Sequence, residues 1–347
     1  MEGIGKVGKK RNINCAMCGR QARLMSGEQP GYREPDIFEI VHCDFCGTAY
    51  AMPPMIDNGL YEFIYLNSHR LPGYMRYAGY SKRVLSEPDP LAYLASAEDV
   101  YWAIGKHLED VPREARILEV GCGLGYLTYA ISRRGYRATG MDISRKAIEE
   151  ASRNYGNMYL CADLIELSSH ATCSYDVIIM TEVIEHLPDP VGFIRAAQML
   201  LRKGGYIIVT TPNRSIYHDS VLWQTETPPV HLWWFSEKSL LYMGNRMGFE
   251  VCFTAFKEYS TLHPIRRRCE LSLSLPTRGP VLKANGNLVN EDEERKIIFR
   301  FQKNFLKKAL FKIVNQFVRA KDMTRGGSRR SVICAKFTPS PEIQKRQ

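Results

Sequence analysis

From residue 116 onward, short apolar runs alternate with stretches whose apolar positions recur every third or fourth residue. Short runs bounded by glycine, aspartate or asparagine read as buried strands, and the longer periodic stretches as amphipathic helices. The pattern predicts strands near residues 117–120, 137–141, 157–161, 175–180 and 205–211. It predicts helices near 124–133, 144–154, 190–202 and 236–247, with another near 92–108 ahead of the first strand. Strands and helices in this order imply an α/β fold, a parallel sheet covered on both faces. Residues 294–320 carry a further helical period. Ile298, Phe301, Phe305, Ala309, Ile313 and Phe317 form its apolar stripe, widened by Leu306 and Leu310, while Lys296, Arg300, Lys303 and Lys307 line the other side. Residues 53–90 hold tyrosines at 61, 65, 74, 77 and 80 with little periodicity. They read either as a lid over a binding site or as a linker packed on the core.

Charge changes this picture in one place. The net charge of the 347 residues is +10, yet residues 1–261 hold 27 basic and 30 acidic side chains, while residues 262–330 hold 17 against 6. Whatever the basic character attracts is attracted to that one segment. No apolar run approaches the ~18 residues of a membrane span. The opening residues, Met1 to Asn12, lack the apolar stretch of a secretory signal. The expectation is a cytoplasmic protein with reduced thiols, its ten cysteines serving as core residues or metal ligands.

Four of those cysteines are patterned. Cys15 and Cys18 are followed by Gly19, and Cys43 and Cys46 by Gly47, with 24 residues between the two pairs. Two C-x-x-C knuckles are the ligand set of a closed four-thiolate zinc site, whose role is structural because no coordination position is left open. Residues 1–52 therefore read as a zinc-binding module too short to build its own core. The other cysteines, 122, 161, 173, 252, 269 and 334, read mostly as small apolar fillers.

Residues 116–128, RILEVGCGLGYLT, place Gly121, Gly123 and Gly125 between a strand and a helix, an arrangement that lets a nucleotide-like ligand approach backbone amides. A dinucleotide site would want its third glycine at 126, which is tyrosine. The pattern present is E-x-G-x-G-x-G, with Glu119 ahead of the first glycine. It resembles the first motif of the class I S-adenosylmethionine-dependent methyltransferases. The resemblance continues through Asp142 in ATGMDIS, Asp163 and Leu164 in LCADLIE, YDVIIMTEVIEHL, and LLRKGGYIIVTTPN, covering about residues 90–260. Within that family, EVIEHLPDP, a later TPN and HLWWFS resemble the ubiquinone-biosynthesis type O-methyltransferases.

The resemblance implies a Rossmann-like seven-stranded sheet over residues 91–347. Glu250–Phe256 would be its sixth strand and Ser331–Phe337 an antiparallel seventh, with residues 258–330 a basic helical insertion before it. It implies that S-adenosylmethionine binds across Glu119, Gly121, Gly123, Gly125, Asp142, Asp163, Leu164 and Glu182. Asp142 would take the ribose hydroxyls and Asp163 the adenine amino group. Residues after the fourth strand face the transferred methyl group, so His186 reads as a general base of pKa near working pH, with Glu185 and His231 beside it. If a helical turn starts at 182, Glu182, Glu185 and His186 share a face and, with His231, could hold Mg²⁺. That set resembles the metal site of small-RNA 2′-O-methyltransferases. The expected acceptor is a small molecule, glycan or lipid-linked compound. A nucleic-acid methyltransferase, or a cofactor-binding docking protein without catalysis, are the alternatives. The helix at 294–320 would either pack on the core or lie on an anionic membrane, at its inner face.

Overall fold

The computed structural model describes residues 12–170, 173–216, 227–262, 279–289 and 332–344. Its centre is a seven-stranded sheet of order β11-β12-β9-β8-β5-β6-β7. The central strands are β5 (Arg116–Val120), β6 (Arg137–Asp142), β7 (Tyr159–Cys161), β8 (Tyr175–Thr181) and β9 (Leu201–Pro212). They are mutually parallel. The edge is closed by β11 (Phe249–Phe253) and β12 (Val332–Pro339), the latter antiparallel to both neighbours. Ile178, Ile179 and Ile208 are fully buried, as continuous apolar runs in a two-sided sheet should be.

Helices α5 (Tyr126–Arg133), α6 (Arg145–Tyr155), α8 (Pro190–Leu200) and α9 (Glu237–Arg246) fall where the periodicity puts them. Asp189 and Ser236 cap α8 and α9 with their side chains. The single helix expected over 92–108 is instead two, α3 (Pro90–Ala97) and α4 (Asp99–Leu108). The break is at Glu98, whose extended backbone (φ −142°) holds its carboxylate against the Tyr80 hydroxyl at 2.7 Å and Arg76 Nε at 2.8 Å. Residues 53–90 are helical too, with α1 (Asn58–Asn67) and α2 (Met75–Arg83). The short α7 (Leu164–His170) and α10 (Lys257–Leu262) complete the set used below; β11 ends at Phe253, three residues short of the expected end of the sixth strand, and α10 follows. The amphipathic stretch 294–320 lies outside the described residues. No described helix is long and apolar enough to cross a membrane.

The N-terminal segment forms a second sheet, β1 (Ile13–Asn14), β2 (Gln21–Pro30), β3 (Ile37–His42) and β4 (Ala49–Met52), and its last strand is β10 (Trp233–Trp234). Trp233 pairs with Tyr50 and Trp234 with Ala49, so the sheet is finished by a strand from far along the chain. Cys15, Cys43, Cys46 and Tyr50 belong to the same apolar cluster as Leu118, Ile178 and Val209. Residues 279–289 dock on this side, where Leu282 packs with Tyr32, Leu60, Ile64, Leu71 and Val230.

Candidate active site

At the end of β5 the chain turns through Gly121, Gly123 and Gly125, with φ of 71°, 50° and 77°. Such angles strain any residue with a Cβ. A Cβ on Gly121 would lie 2.6 Å from Val183 and one on Gly125 2.6 Å from Ala151, so both positions are also sterically closed. Gly123 differs: its missing Cβ faces only the Tyr65 ring, at 3.7 Å. The amides of Gly121 and Cys122 donate to the Met141 carbonyl at 2.7 and 3.0 Å, which ties the turn to β6.

Asp142 ends β6 and is almost fully buried. Its Oδ1 accepts from the Ser144 amide at 2.8 Å, and its Oδ2 from the Gly123 amide at 2.9 Å and the Tyr65 hydroxyl at 3.4 Å. Burial raises its pKa, against the pull of those amides. Glu119 lies beneath the turn, where its carboxylate accepts from the Thr128 hydroxyl, and burial pushes it up to about 8. Asp163 is exposed and spends Oδ1 on the amides of Ile165 and Glu166, at 2.8 and 3.0 Å, starting α7. The Leu164 side chain is packed into the core. Thus Gly123 and Asp142 stand together under Tyr65, Glu119 braces α5 through Thr128, and the Leu164 side chain faces the core.

The second group of side chains comes from the end of β8. The turn after it covers Ile184–His186 only, as a tight three-residue helix, and Glu182 precedes it in a left-handed conformation (φ 54°). That conformation is rare outside glycine and clusters at functional sites. It turns Glu182 away from the face expected to hold Glu182, Glu185 and His186 together. The three that do converge are Glu185, His186 and His231, each offering a ligand atom within 4.8 Å of the others. His186 and His231 stand edge to face, 4.6 Å between ring centres.

Backbone pairing fixes this convergence. The Leu232 amide donates to the Glu185 carbonyl at 2.8 Å, and His186 Nδ1 donates to the Val230 carbonyl at 2.7 Å. His231 lies between the two tethers. The Tyr61 hydroxyl donates to the same Val230 carbonyl at 2.6 Å and lies 3.0 Å from His186 Nδ1.

Burial sets the protonation here. It pushes the His186 pKa down to about 4 rather than leaving it near working pH, so the ring is neutral. With Nδ1–H committed to Val230, Nε2 carries the lone pair. Burial, reinforced by the charge of Glu182, raises Glu185 well above the carboxylate range, and burial pushes Glu182 up to about 7. Glu185 Oε2 accepts from the Thr211 hydroxyl at 3.0 Å. Glu185 Oε1 and Glu182 Oε1 are buried with no hydrogen-bond partner among the described residues. A buried carboxyl oxygen left without a partner is costly unless something else binds there. Thr210, Thr211 and Val230 were not singled out from sequence, and Tyr61 was named only within the segment read as a lid or linker. The threonines did leave a signal, being polar and fully buried at the end of an apolar strand.

The four patterned cysteines also converge. Cys15 Sγ lies 3.7 Å from Cys46 Sγ and Cys18 Sγ 3.5 Å from Cys43 Sγ. Four thiolates around zinc with bonds of ~2.3 Å stand about 3.8 Å apart, so the spacing fits. Each knuckle closes through its glycine, Gly19 onto the Cys15 carbonyl and Gly47 onto the Cys43 carbonyl, both at 2.8 Å. Of the remaining cysteines, Cys122 and Cys334 are buried, whereas Cys161, Cys173 and Cys252 are exposed rather than fillers. Cys269 lies outside the described residues.

Comparison with known proteins shows what this part of the chain is similar to. Residues 100–252 match the model of a methyltransferase domain. Over 105 residues the chain is 33% identical to a ubiquinone biosynthesis O-methyltransferase of Ralstonia nicotianae, covering 29% of this chain and 44% of that protein. It is 32% identical over 108 residues to the protein of the same name from Idiomarina loihiensis, again covering 29% and 44%. The chain thus spans under half the length of these curated relatives. Among solved structures, a possible histamine N-methyltransferase from Thermotoga maritima aligns with 81% of this chain and all of its own, at 18% identity and a TM-score of 0.43. A magnesium protoporphyrin IX methyltransferase from Synechocystis, solved with bound S-adenosylmethionine, aligns with 58% of this chain and 91% of its own, at 18% identity and a TM-score of 0.38.

Proposed function

We propose that this chain, whose residues 100–252 match the model of a methyltransferase domain, methylates an oxygen of a small-molecule, glycan or lipid-linked acceptor, using S-adenosylmethionine. The observation that carries the reading is the pairing of two groups at one end of the sheet. Gly123 and Asp142 stand at the ends of β5 and β6, and Glu185, His186 and His231 stand beyond β8. When bound, S-adenosylmethionine supplies a methyl group on a positively charged sulfur, already paired with its leaving group.

The residues of the chain then have three tasks. The amides of the glycine turn and the Asp142 carboxylate hold the nucleoside, with Asp163 and the backbone at Leu164 along its far side. Glu182, at the strand end between the two groups, faces the cofactor. His186, through Nε2, takes the proton from the acceptor hydroxyl, and Glu185 and His231 orient it. Radiolabel transfer from S-adenosylmethionine into extracted lipids and glycans, but not into RNA, is the expected result. Transfer into RNA alone would replace the acceptor class, and failure to bind S-adenosylmethionine in calorimetry would favour a docking role.

One observation favours a second reading of the same cluster. Glu185 Oε1 is buried and unpartnered beside two imidazoles. Glu185, His186 and His231 are a suitable mixed donor set for a divalent cation such as Mg²⁺ or Mn²⁺, which would hold acceptor oxygens and ease their deprotonation. EDTA treatment is then expected to abolish turnover, and Mg²⁺ or Mn²⁺ to restore it. An unchanged rate leaves His186 as the direct base.

Cys15, Cys18, Cys43 and Cys46 are proposed to hold a structural zinc ion. Metal analysis should find about one zinc per chain. Cys15→Ser and Cys43→Ser should each lose that zinc and lower the melting temperature. Retention of both zinc and stability in the two variants would remove the site.

A further inference from the structure

Tyr61 and Tyr65 stand one turn apart on α1 and so project from one face of it. Tyr61 reaches the Val230 carbonyl beside His186. Tyr65 reaches the other half of the cleft, where its hydroxyl donates to Asp142 Oδ2 at 3.4 Å and its ring covers Gly123. Asp142 has few oxygen lone pairs to spare. Oδ1 serves the Ser144 amide and Oδ2 the Gly123 amide, and the direction left open on Oδ2 is the one that Tyr65 fills.

We propose that Tyr65 gates the cofactor site, its hydroxyl standing on Asp142 where a ribose hydroxyl of S-adenosylmethionine must bind. The proposal rests on the cofactor reading above. The helix itself need not leave. Leu60 and Ile64 anchor α1 in the cluster with Tyr32, Val230 and Leu282, and Asp57, which caps α1, is paired with Arg33 at 3.0 Å. Rotation of the Tyr65 side chain is enough to free both the Asp142 oxygen and the face of Gly123. Burial holds the Tyr65 phenol far above its ordinary pKa, so it remains a donor at every working pH. The cofactor-free protein is thus divided between a closed form, which cannot bind, and an open form, which can, and the measured affinity is reduced by the open fraction.

The test is S-adenosylhomocysteine binding, by calorimetry and stopped flow, to the full chain. Tyr65→Phe keeps the ring but removes the bond to Asp142, so it is expected to bind ~3–10-fold tighter and associate faster. In an Asp142→Ala background the same change should have no effect, since the contested oxygens are gone. Tyr65→Leu, which also uncovers Gly123, should match or exceed the gain of Tyr65→Phe. Weaker or unchanged binding in Tyr65→Phe, with Asp142→Ala still impaired, overturns the gate and leaves the cofactor reading intact. Wild-type protein that does not bind, or Asp142→Ala that binds normally, removes the cofactor reading and the gate with it.

Discussion

Asp142→Ala is expected to weaken S-adenosylmethionine binding by a hundredfold or more. The two ribose hydroxyls would lose an ionised acceptor, and each such bond contributes roughly 1.5–3 kcal/mol. Together that is about two to four decades of affinity. The change reaches further than the ligand, because Asp142 also accepts from the amides of Gly123 and Ser144 and so braces the glycine turn. Loss of the brace should cost about 1 kcal/mol of fold stability, as for a lost capping side chain. Calorimetry on the folded variant separates the two effects. Unchanged affinity would contradict the placement of the ribose.

His186→Ala is expected to lose most activity, about two to four decades in kcat, while binding the cofactor as wild type does. The separation follows from grouping: the ring lies with Glu185 and His231, beyond the end of β8, and makes no hydrogen bond to Asp142 or the glycine turn among the described residues. The pH profile adds an independent check. A base acts only when unprotonated, and burial holds this imidazole down to about 4 rather than the usual 6.5. The acid limb of kcat assigned to His186 should therefore lie well below that of an ordinary histidine. Wild-type kcat in His186→Ala, or a limb that survives its removal unshifted, would place the proton transfer elsewhere.

The sheet was legible because its central strands are buried on both faces and so write apolar runs. Val177–Met180 is unbroken and Ile117–Val120 is interrupted only by Glu119, and the structure leaves both almost no exposure. The glycine turn was legible because positive φ has few other solutions. The helices of residues 53–108 were not, for a different reason in each case. In α2 and its neighbours the packing is made by tyrosines on tyrosines, with Tyr80 against Tyr93, Tyr101 and Tyr126, so no apolar period appears. The break at Glu98 has neither glycine nor proline to announce it and depends on Tyr80 and Arg76, distant in sequence. At the site, EVIEHL named Glu185 and His186 but misplaced Glu182. A helical spacing assumes helical φ, and Glu182 departs from it. His231 was named as well, while its neighbours are held through the Val230 carbonyl and the Leu232 amide, main-chain groups that side-chain patterns do not record.

The strand that residues 233–234 lend to the N-terminal sheet constrains how this sequence can drift. Tyr50 packs on Trp233 with ring centres 5.1 Å apart, and the Ser236 hydroxyl donates to the Gly47 carbonyl at 3.0 Å. A Cβ on Gly47 would lie 2.7 Å from that hydroxyl. Residues 47–52 and 230–236 are thus two halves of one fitted joint, although nearly 180 positions apart in the chain. A one-residue insertion in either half would slip the pairing and carry His231 away from Glu185 and His186. Homologues that keep the four cysteines should therefore keep the lengths of both segments and exchange Tyr50 and Trp233 together. Grafting the cysteine module onto a related domain should succeed only when the later segment travels with it.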